Sequence, residues 1–538
     1  MLPWAKGHLK YPDLAKKVVG YWYEFDDNHI FDSPQPDIDV QIEVDTPKRD
    51  AVVAAFKHAW GAYERDAFGH DEYHPISRQG TNLSEAGGIG YTVVDSIDTM
   101  VLMGLHDEEQ RAREWVEKRL DLNRDGDYNT FETTIRVLGG LLSAHYLTNA
   151  SIYLERAVEL ADRMMPVFDS PTGVPWSMVN LGQRKGIPDK DNNGLSSTAE
   201  AGTLQLEFKY LSYLTDDDSY WKAVEKVMNV MKKARVAPGL APIFISPEQG
   251  QFVTSAIRLG SRGDSFYEYL LKQYLQTSRR ETVYREMYDD AMTAIHNHLL
   301  KRSMSGNLLY TSELIPERQP GGDLSWRLVP KQDHLVCFIG GSFMLGATDG
   351  AHVSRPPRTR ELSGTQLRDW NTGVELIKTC MATHDTKTRL SPEIVHFRLP
   401  SDPLSISTLA TADWYIKGAQ GAVPYDARYI LRPETVESLF IAYRLTGDEK
   451  YRNWGWEIFS AIEKYCRIPD GGYAAILNVD AIPVEHEDKM ETFLMSETLK
   501  YLFLLFSDSS VLPLDRVVFN TEAHPLPIFE PHIRTGFS

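Results

Sequence analysis

Apolar residues in this chain gather into seven dense runs, with polar residues ordered between them in a repeating way. The runs end near Leu105 (VVDSIDTMVLMGLHD), Leu147, Leu214, Leu275 (SFYEYLLKQYLQT), Leu345 (DHLVCFIGGSFMLGAT), Leu445 and Phe506 (ETLKYLFLLFSD). Three of them share one turn: Leu147-Thr148 to Tyr153, Leu214-Thr215 to Tyr220, and Leu445-Thr446 to Tyr451. Beyond the turn the chain reads LTDDDSYWKAVEKVM in one copy and LTGDEKYRNWGWEIF in another. The run before each turn is apolar nearly all round, as a buried inner helix must be, and the segment after it is amphipathic, as an outer helix must be. Gly, Asp and Asn in the turn act as helix stop and start signals.

Most runs end 61–70 residues apart; the first step is 42, and the step of 100 carries an insertion around 350–395 rich in Pro, Arg and Gly. Residues 350–370 read as its most mobile part. A repeat of helical hairpins makes a solenoid or a closed ring. An open solenoid would want polar caps, yet the last run, YLFLLF, is among the most apolar. The pattern therefore predicts an all-α fold, an (α/α)7 barrel. Short β-strands are expected in the long loops 169–198, 235–262 and 465–490, for instance around Gly472–Ile476. The barrel is expected to be one domain over 45–530, between an N-terminal extension, 1–44, and a short tail, 531–538.

A net charge of −18 and a pI of about 5.4, with no basic stripe, argue against nucleic acid and anionic membrane as partners. No stretch of 18 apolar residues is present to span a bilayer. Met1-Leu2-Pro3-Trp4 lacks the pattern of a secretory signal, so the protein is cytosolic or its targeting segment lies outside this sequence. Aromatic residues, at 11%, suit sugar-stacking surfaces and equally a large core. The three cysteines, Cys337, Cys380 and Cys466, allow one disulfide with a free thiol or three buried thiols. Two glycosylation sequons, at Asn82 and Asn149, point towards a secretory location.

Acids recur near the start of the inner runs: Glu132, Glu200, Asp264, Glu434 and Glu497, between 9 and 15 residues before the end of each run. A spread of six residues is about 9 Å along a helix. Parallel inner helices would thus bring all five to one end of the ring. Any one of them could be a helix-start acid favoured by capping and the dipole. Five together, beside Arg136, Arg262, Arg432 and His334, point instead to a site. Clustered acids shift one another's pKa, and glycoside hydrolysis needs one protonated and one ionised carboxyl.

Residues 121–132, DLNRDGDYNTFE, also fit a calcium-binding EF-hand loop, with Asp121, Asn123, Asp125 and Glu132 as ligands. EF-hands pair, and no second loop is found. Glu132 is better explained as a site carboxylate opening an inner helix, which leaves the loop as a polar turn.

The segments FETTIRVLGGLLSAHYL, STAEAGTLQLEF, LGSRGDSFYEYLLKQYL, DHLVCF, SPEIVHF, LRPETVESLF, KMETFLMSETLKYLFLLFSD and FNTEAHPLP lie in this order over 45–530. With them the chain resembles glycoside hydrolase family 47, the class I α-1,2-mannosidases, whose fold is an (α/α)7 barrel. The resemblance implies an inverting, calcium-dependent exo-α-1,2-mannosidase that trims high-mannose N-glycans on glycoproteins in the endoplasmic reticulum lumen. It implies Glu132 as proton donor, acting through a water, and Glu434 as the leading candidate for the base. Asp264 would position water, and Glu393 is a further acidic candidate. Sugar contacts carry over to Arg136, Glu200, His334, Arg432, Glu437, Phe493, Glu497 and Glu522, with Phe493 stacking on the ring. Thr521 would supply both its oxygens to Ca2+. Cys337 and Cys380 match the family's disulfide pair, leaving Cys466 free. Arg262 stands where members of the endoplasmic-reticulum type carry Arg, which implies removal of one mannose from the middle branch of the nine-mannose glycan. The protein is expected to be a monomer, with membrane contact only through a segment outside this sequence. Two rival readings are a mannosidase-like factor that marks misfolded glycoproteins for degradation, and a mannose lectin without catalysis. The lectin should lack one of the acids, and all are present.

Overall fold

A computed structural model describes residues 42–234, 239–349, 362–400, 413–418 and 423–533. The expected extension, 1–44, the insertion, 350–370, and the tail, 531–538, each fall wholly or partly outside them. The described residues form one compact unit.

Seven inner helices carry the apolar runs: α2 (Tyr91–Leu102), α4 (Gly139–Thr148), α6 (Gln205–Thr215), α8 (Asp264–Gln276), α10 (Phe338–Thr348), α12 (Glu434–Thr446) and α14 (Leu499–Phe506). Every residue of α10 and α14 is buried, as all-round apolarity requires. Outer helices follow: α3 (His106–Lys118), α5 (Ser151–Met164), α7 (Asp218–Lys233), α9 (Thr282–His298), α11 (Gly364–Thr383) and α13 (Glu449–Tyr465). The turns use the expected chemistry. Asn149, Asp216 and Gly447 end α4, α6 and α12 in the left-handed conformation, and Asp217 and Asp448 cap the helices that follow.

The structure revises the pattern in two places. The seventh outer helix is α1 (Thr46–Ala67), from the start of the described chain, and it packs on α14. The Asp45 amide donates to the Phe506 carbonyl at 2.8 Å, so chain ends far apart in sequence close the ring. Gly364–Thr383, within the insertion expected at 350–395, is the ordinary outer helix α11, opened by a capping box at Ser363 and Gln366. Its Arg and Gly residues had masked the amphipathic pattern.

Between the helices lie small antiparallel sheets, including strands in each of the three long loops. The strand expected over Gly472–Ile476 covers only Gly472–Tyr473, paired with Arg467–Ile468; Ile476 bridges Tyr429 and His486 singly. Cys337 and Cys380 form a disulfide that ties the start of α10 to α11. It closes a 43-residue loop, which removes about 4 kcal/mol of loop freedom from the unfolded chain. Cys466 is buried and free. No helix among the described residues is long and apolar enough to cross a membrane.

Candidate active site

The inner helices present their first turns to one end of the ring. Two of them are preceded there by π-helical segments, Thr133–Leu138 before α4 and Leu494–Thr498 before α14. Such wide turns re-aim side chains and recur at functional sites. Here they follow Glu132 and Phe493 directly, and they carry Arg136 and Glu497.

Glu132 is placed by the Asn129 side chain, which accepts its backbone N–H at 2.8 Å. Its Oε2 accepts from Arg136 Nε at 2.8 Å. The Glu132 side chain keeps 34% of its surface exposed, whereas that of Glu522 keeps only 2%. Arg136 Nη1 donates to Thr492 at 2.9 Å, bonds Glu522, and lies 3.5 Å from Asp95.

A second guanidinium faces the first. Arg432 binds Glu393 in bidentate fashion, with contacts of 3.1 Å, and lies 3.8 Å from Glu434 Oε1. Phe493 sits between the arginines, with its ring centroid 5.8 Å from Arg136 Cζ and 5.5 Å from Arg432 Cζ. Glu434 opens α12, and its buried Oε2 has no hydrogen-bond partner among the described residues. His334 Nε2 lies 3.9 Å from that oxygen and 3.1 Å from the Thr435 hydroxyl. Burial first, then His384 and Arg432, hold the imidazole well below its ordinary pKa, so His334 meets Glu434 as a neutral ring.

The acids lie in low-dielectric surroundings. Burial pushes Asp264 up to about 7, helped by Glu268, Asp333 and Glu434 and opposed by the Ser265 amide. Glu434 is likewise pushed up to about 7 by burial, against Arg432. Glu200, whose N–H is capped by Ser197, is raised to about 7 by burial; Arg262 opposes this and Glu132 adds to it. Glu437 rises to about 8 through burial, with Lys272 at 3.7 Å opposing. Glu497 and Glu522 are both raised well above the ordinary value, by burial first and by neighbouring carboxylates. Arg262 holds a left-handed backbone, φ 71°, and its guanidinium carbon lies 5.2 Å from the Phe244 ring.

The floor is a hairpin, Val517–Phe519 paired with Pro525–Pro527. Its base lies at the far ends of the inner helices, where Phe529 bonds the Gln276 carbonyl and stacks on Tyr213. Its tip holds Thr521 and rises towards the acids. Asn520 anchors the tip: its amide donates to the Ile135 carbonyl at 2.9 Å and to Glu207 at 2.8 Å, and its oxygen accepts from the N–H groups of Glu522 and His524. His524 is fully buried between Asp95, at 3.0 Å, and Asp98, at 2.7 Å, and Lys500 completes the cluster on Asp98. The Thr521 hydroxyl has no hydrogen-bond partner among the described residues, and its N–H points to the Tyr269 oxygen at 3.3 Å.

The acids, arginines, His334, Phe493 and Thr521 singled out as site residues thus lie round this end of the barrel or on its floor. The EF-hand-like loop does not behave as a cation site. Asp125 accepts from Asn180 and Gln183, Asp127–Asn129 pairs as a strand with Met178–Asn180, and Glu132 turns to Arg136. No group of three or more His, Cys, Asp or Glu able to hold a metal occurs among the described residues. Sequence reasoning missed Asp95, Asp98, Glu207, Glu268, Lys272, Lys500 and His524. Six of these lie in or beside apolar inner runs; a charge inside such a run is the signal that marks a polar barrel interior.

Comparison with known proteins agrees with this geometry. The family model for glycosyl hydrolase family 47 matches residues 55–528. A mannosyl-oligosaccharide 1,2-alpha-mannosidase of Candida albicans is 43% identical over 496 residues, covering 90% of this chain and 84% of that protein. An endoplasmic reticulum mannosyl-oligosaccharide 1,2-alpha-mannosidase of Schizosaccharomyces pombe is 42% identical over 492 residues, covering 90% of each chain. The solved alpha-1,2-mannosidase from Trichoderma reesei superposes with a TM-score of 0.78 at 29% identity, covering 90% of this chain and 100% of that one. With a family model matched over most of its length and relatives above 40% identity covered almost end to end, the chain belongs to glycosyl hydrolase family 47.

Proposed function

We propose that this enzyme is an inverting, calcium-dependent exo-α-1,2-mannosidase of the endoplasmic reticulum lumen that removes one mannose from the middle branch of high-mannose N-glycans. The carrying observation is the set of carboxyls gathered above a hairpin floor, among them the buried Glu393, Glu437, Glu497 and Glu522. A barrel floored by a hairpin admits a terminal sugar and stops there, which suits exo action. Acids titrating near neutral pH suit general acid and base work.

In this reading Glu132, with 34% of its side chain exposed, donates the proton through a water to the leaving oxygen. Arg136 holds it in place. Glu434, with one carboxylate oxygen unbonded, takes a proton from the attacking water on the opposite face of the sugar. Asp264 orients that water, and neutral His334 lies beside Glu434 without bonding it. Glu393 keeps Arg432 in position. Phe493, steadied by both arginines, offers its ring to the sugar. Arg136, Glu200, Arg432, Glu437, Glu497 and Glu522 offer hydrogen bonds to sugar hydroxyls.

The floor suits a hard cation. Thr521 offers an unbonded hydroxyl and a carbonyl, and the buried carboxylates of the site outnumber its cations Arg136, Lys272, Arg432 and Lys500. Bound there, Ca2+ would grip sugar hydroxyls and neutral oxygens.

Arg262, at the rim beside Glu200, supports selection of one branch. The test is digestion of the nine-mannose glycan with linkage analysis of the product. Release of a single middle-branch mannose as the β-anomer, abolished by chelator and restored by calcium, is expected. Full activity in excess chelator, or release of the α-anomer, would overturn the reading.

A further inference from the structure

One aromatic side chain at the mouth of the site has no role in the chemistry above. Tyr425 keeps 57% of its surface exposed, and Val423 on the same turn keeps 50%. Single exposed apolar side chains are common and mean little by themselves. This one is set apart by how firmly its turn is held and by what holds it.

Residues Tyr425–Ala427 form a short 3-10 turn. Asp426 contacts His396 Nε2 at 3.3 Å. The Ala427 carbonyl accepts from the Val479 N–H at 2.9 Å. The Arg428 carbonyl accepts from the Glu393 N–H at 2.8 Å, which joins the turn directly to the acid that anchors Arg432. The Arg428 side chain binds both oxygens of Glu487, at 2.9 and 3.0 Å, and its guanidinium carbon lies 5.0 Å from the Tyr425 ring. The ring is thus backed on one side by a fixed cation and open to solvent. Its phenol also feels the charges of Glu393 and Arg432, which places it near the mouth and not on a remote face.

A preorganised, half-exposed aromatic ring beside a sugar site matches the apolar C–H face of a pyranose. We propose that Tyr425 is a specificity residue, a stacking platform for a sugar unit on the leaving-group side of the scissile bond. This inference rests on the mannosidase reading. The ring engages an oligosaccharide that extends beyond the two sugars flanking that bond, and a disaccharide is too short to reach it. Backing by Arg428 makes the ring rigid, so little freedom is lost on binding.

Tyr425→Ala, Tyr425→Phe and the parent enzyme are compared on the nine-mannose oligosaccharide and on an α-1,2-linked mannose disaccharide. The ratio of kcat/KM for oligosaccharide over disaccharide is expected to fall about tenfold in Tyr425→Ala, through KM, and to stay within twofold in Tyr425→Phe. An unchanged ratio in Tyr425→Ala overturns the platform, as does an equal loss in Tyr425→Phe, which would assign the effect to the hydroxyl. A parent enzyme that cleaves neither substrate refutes the mannosidase reading instead. Thermal melts of both variants establish that the turn has kept its fold.

Discussion

Arg432 grips Glu393 through two nitrogens at 3.1 Å and leaves Glu434, two residues along its own chain, at 3.8 Å with one carboxylate oxygen unbonded. Two acids beside one guanidinium are thereby given different jobs. A carboxylate held bidentately is a poor proton acceptor, because taking a proton breaks charge-assisted bonds. The unbonded one is ready to act.

Glu434→Gln is therefore expected to lower kcat by about 10²–10⁴-fold with little change in KM. Glu393→Gln should fall less in kcat and more in KM, because it loosens Arg432 and through it Phe493. Steady-state mannose release on both variants decides. Equal kcat losses would remove the division of labour.

The raised carboxyls fix the sign of a pH effect on stability. Glu200, Asp264 and Glu434, near 7, and Glu437, near 8, hold protons in the folded chain that the unfolded chain releases near 4 to 4.5. The folded state binds more protons over that window, so stability falls as pH rises from about 4.5 to about 8. His524, held above its ordinary pKa against burial by Asp98 and Asp95, works in the same direction at the upper end. Tm in chelator should drop by at least about 5 °C between pH 5 and 8. Millimolar calcium should flatten the curve, since a bound cation favours the charged carboxylates. A melt series in chelator that rises over this window would contradict the burial-driven shifts.

His524 ties the tip of the floor hairpin to α2. His524→Gln reaches only one of Asp95 and Asp98 and removes the cation between them, leaving the two buried carboxylates to Arg136 and Lys500 alone. The expected cost is about 3–5 kcal/mol of unfolding free energy. A weaker calcium isotherm should accompany it, because the loop bearing Thr521 loses its anchor. Urea denaturation and calorimetric calcium titration measure the two effects. A loss under about 1 kcal/mol would mean that Lys500 and Asn520 suffice to hold the tip.

The sequence by itself determined the ring. Burial on all sides demands all-round apolar helices, and seven such runs, alternating with amphipathic segments, leave a closed barrel of helix pairs as the reading. It also determined that the acids share one end, because they occur at one place in the repeat and helix rise is fixed. What it could not show follows from contacts between residues distant along the chain. Closure by α1 joins Asp45 to Phe506, and no local pattern carries that pairing. The difference between Glu393 and Glu434 depends on which of them Arg432 reaches first. The charged floor beneath Thr521 comes from residues on four inner helices and one hairpin, at most two to a helix. Only in the folded barrel do those charges become neighbours, and only there does low dielectric make them matter.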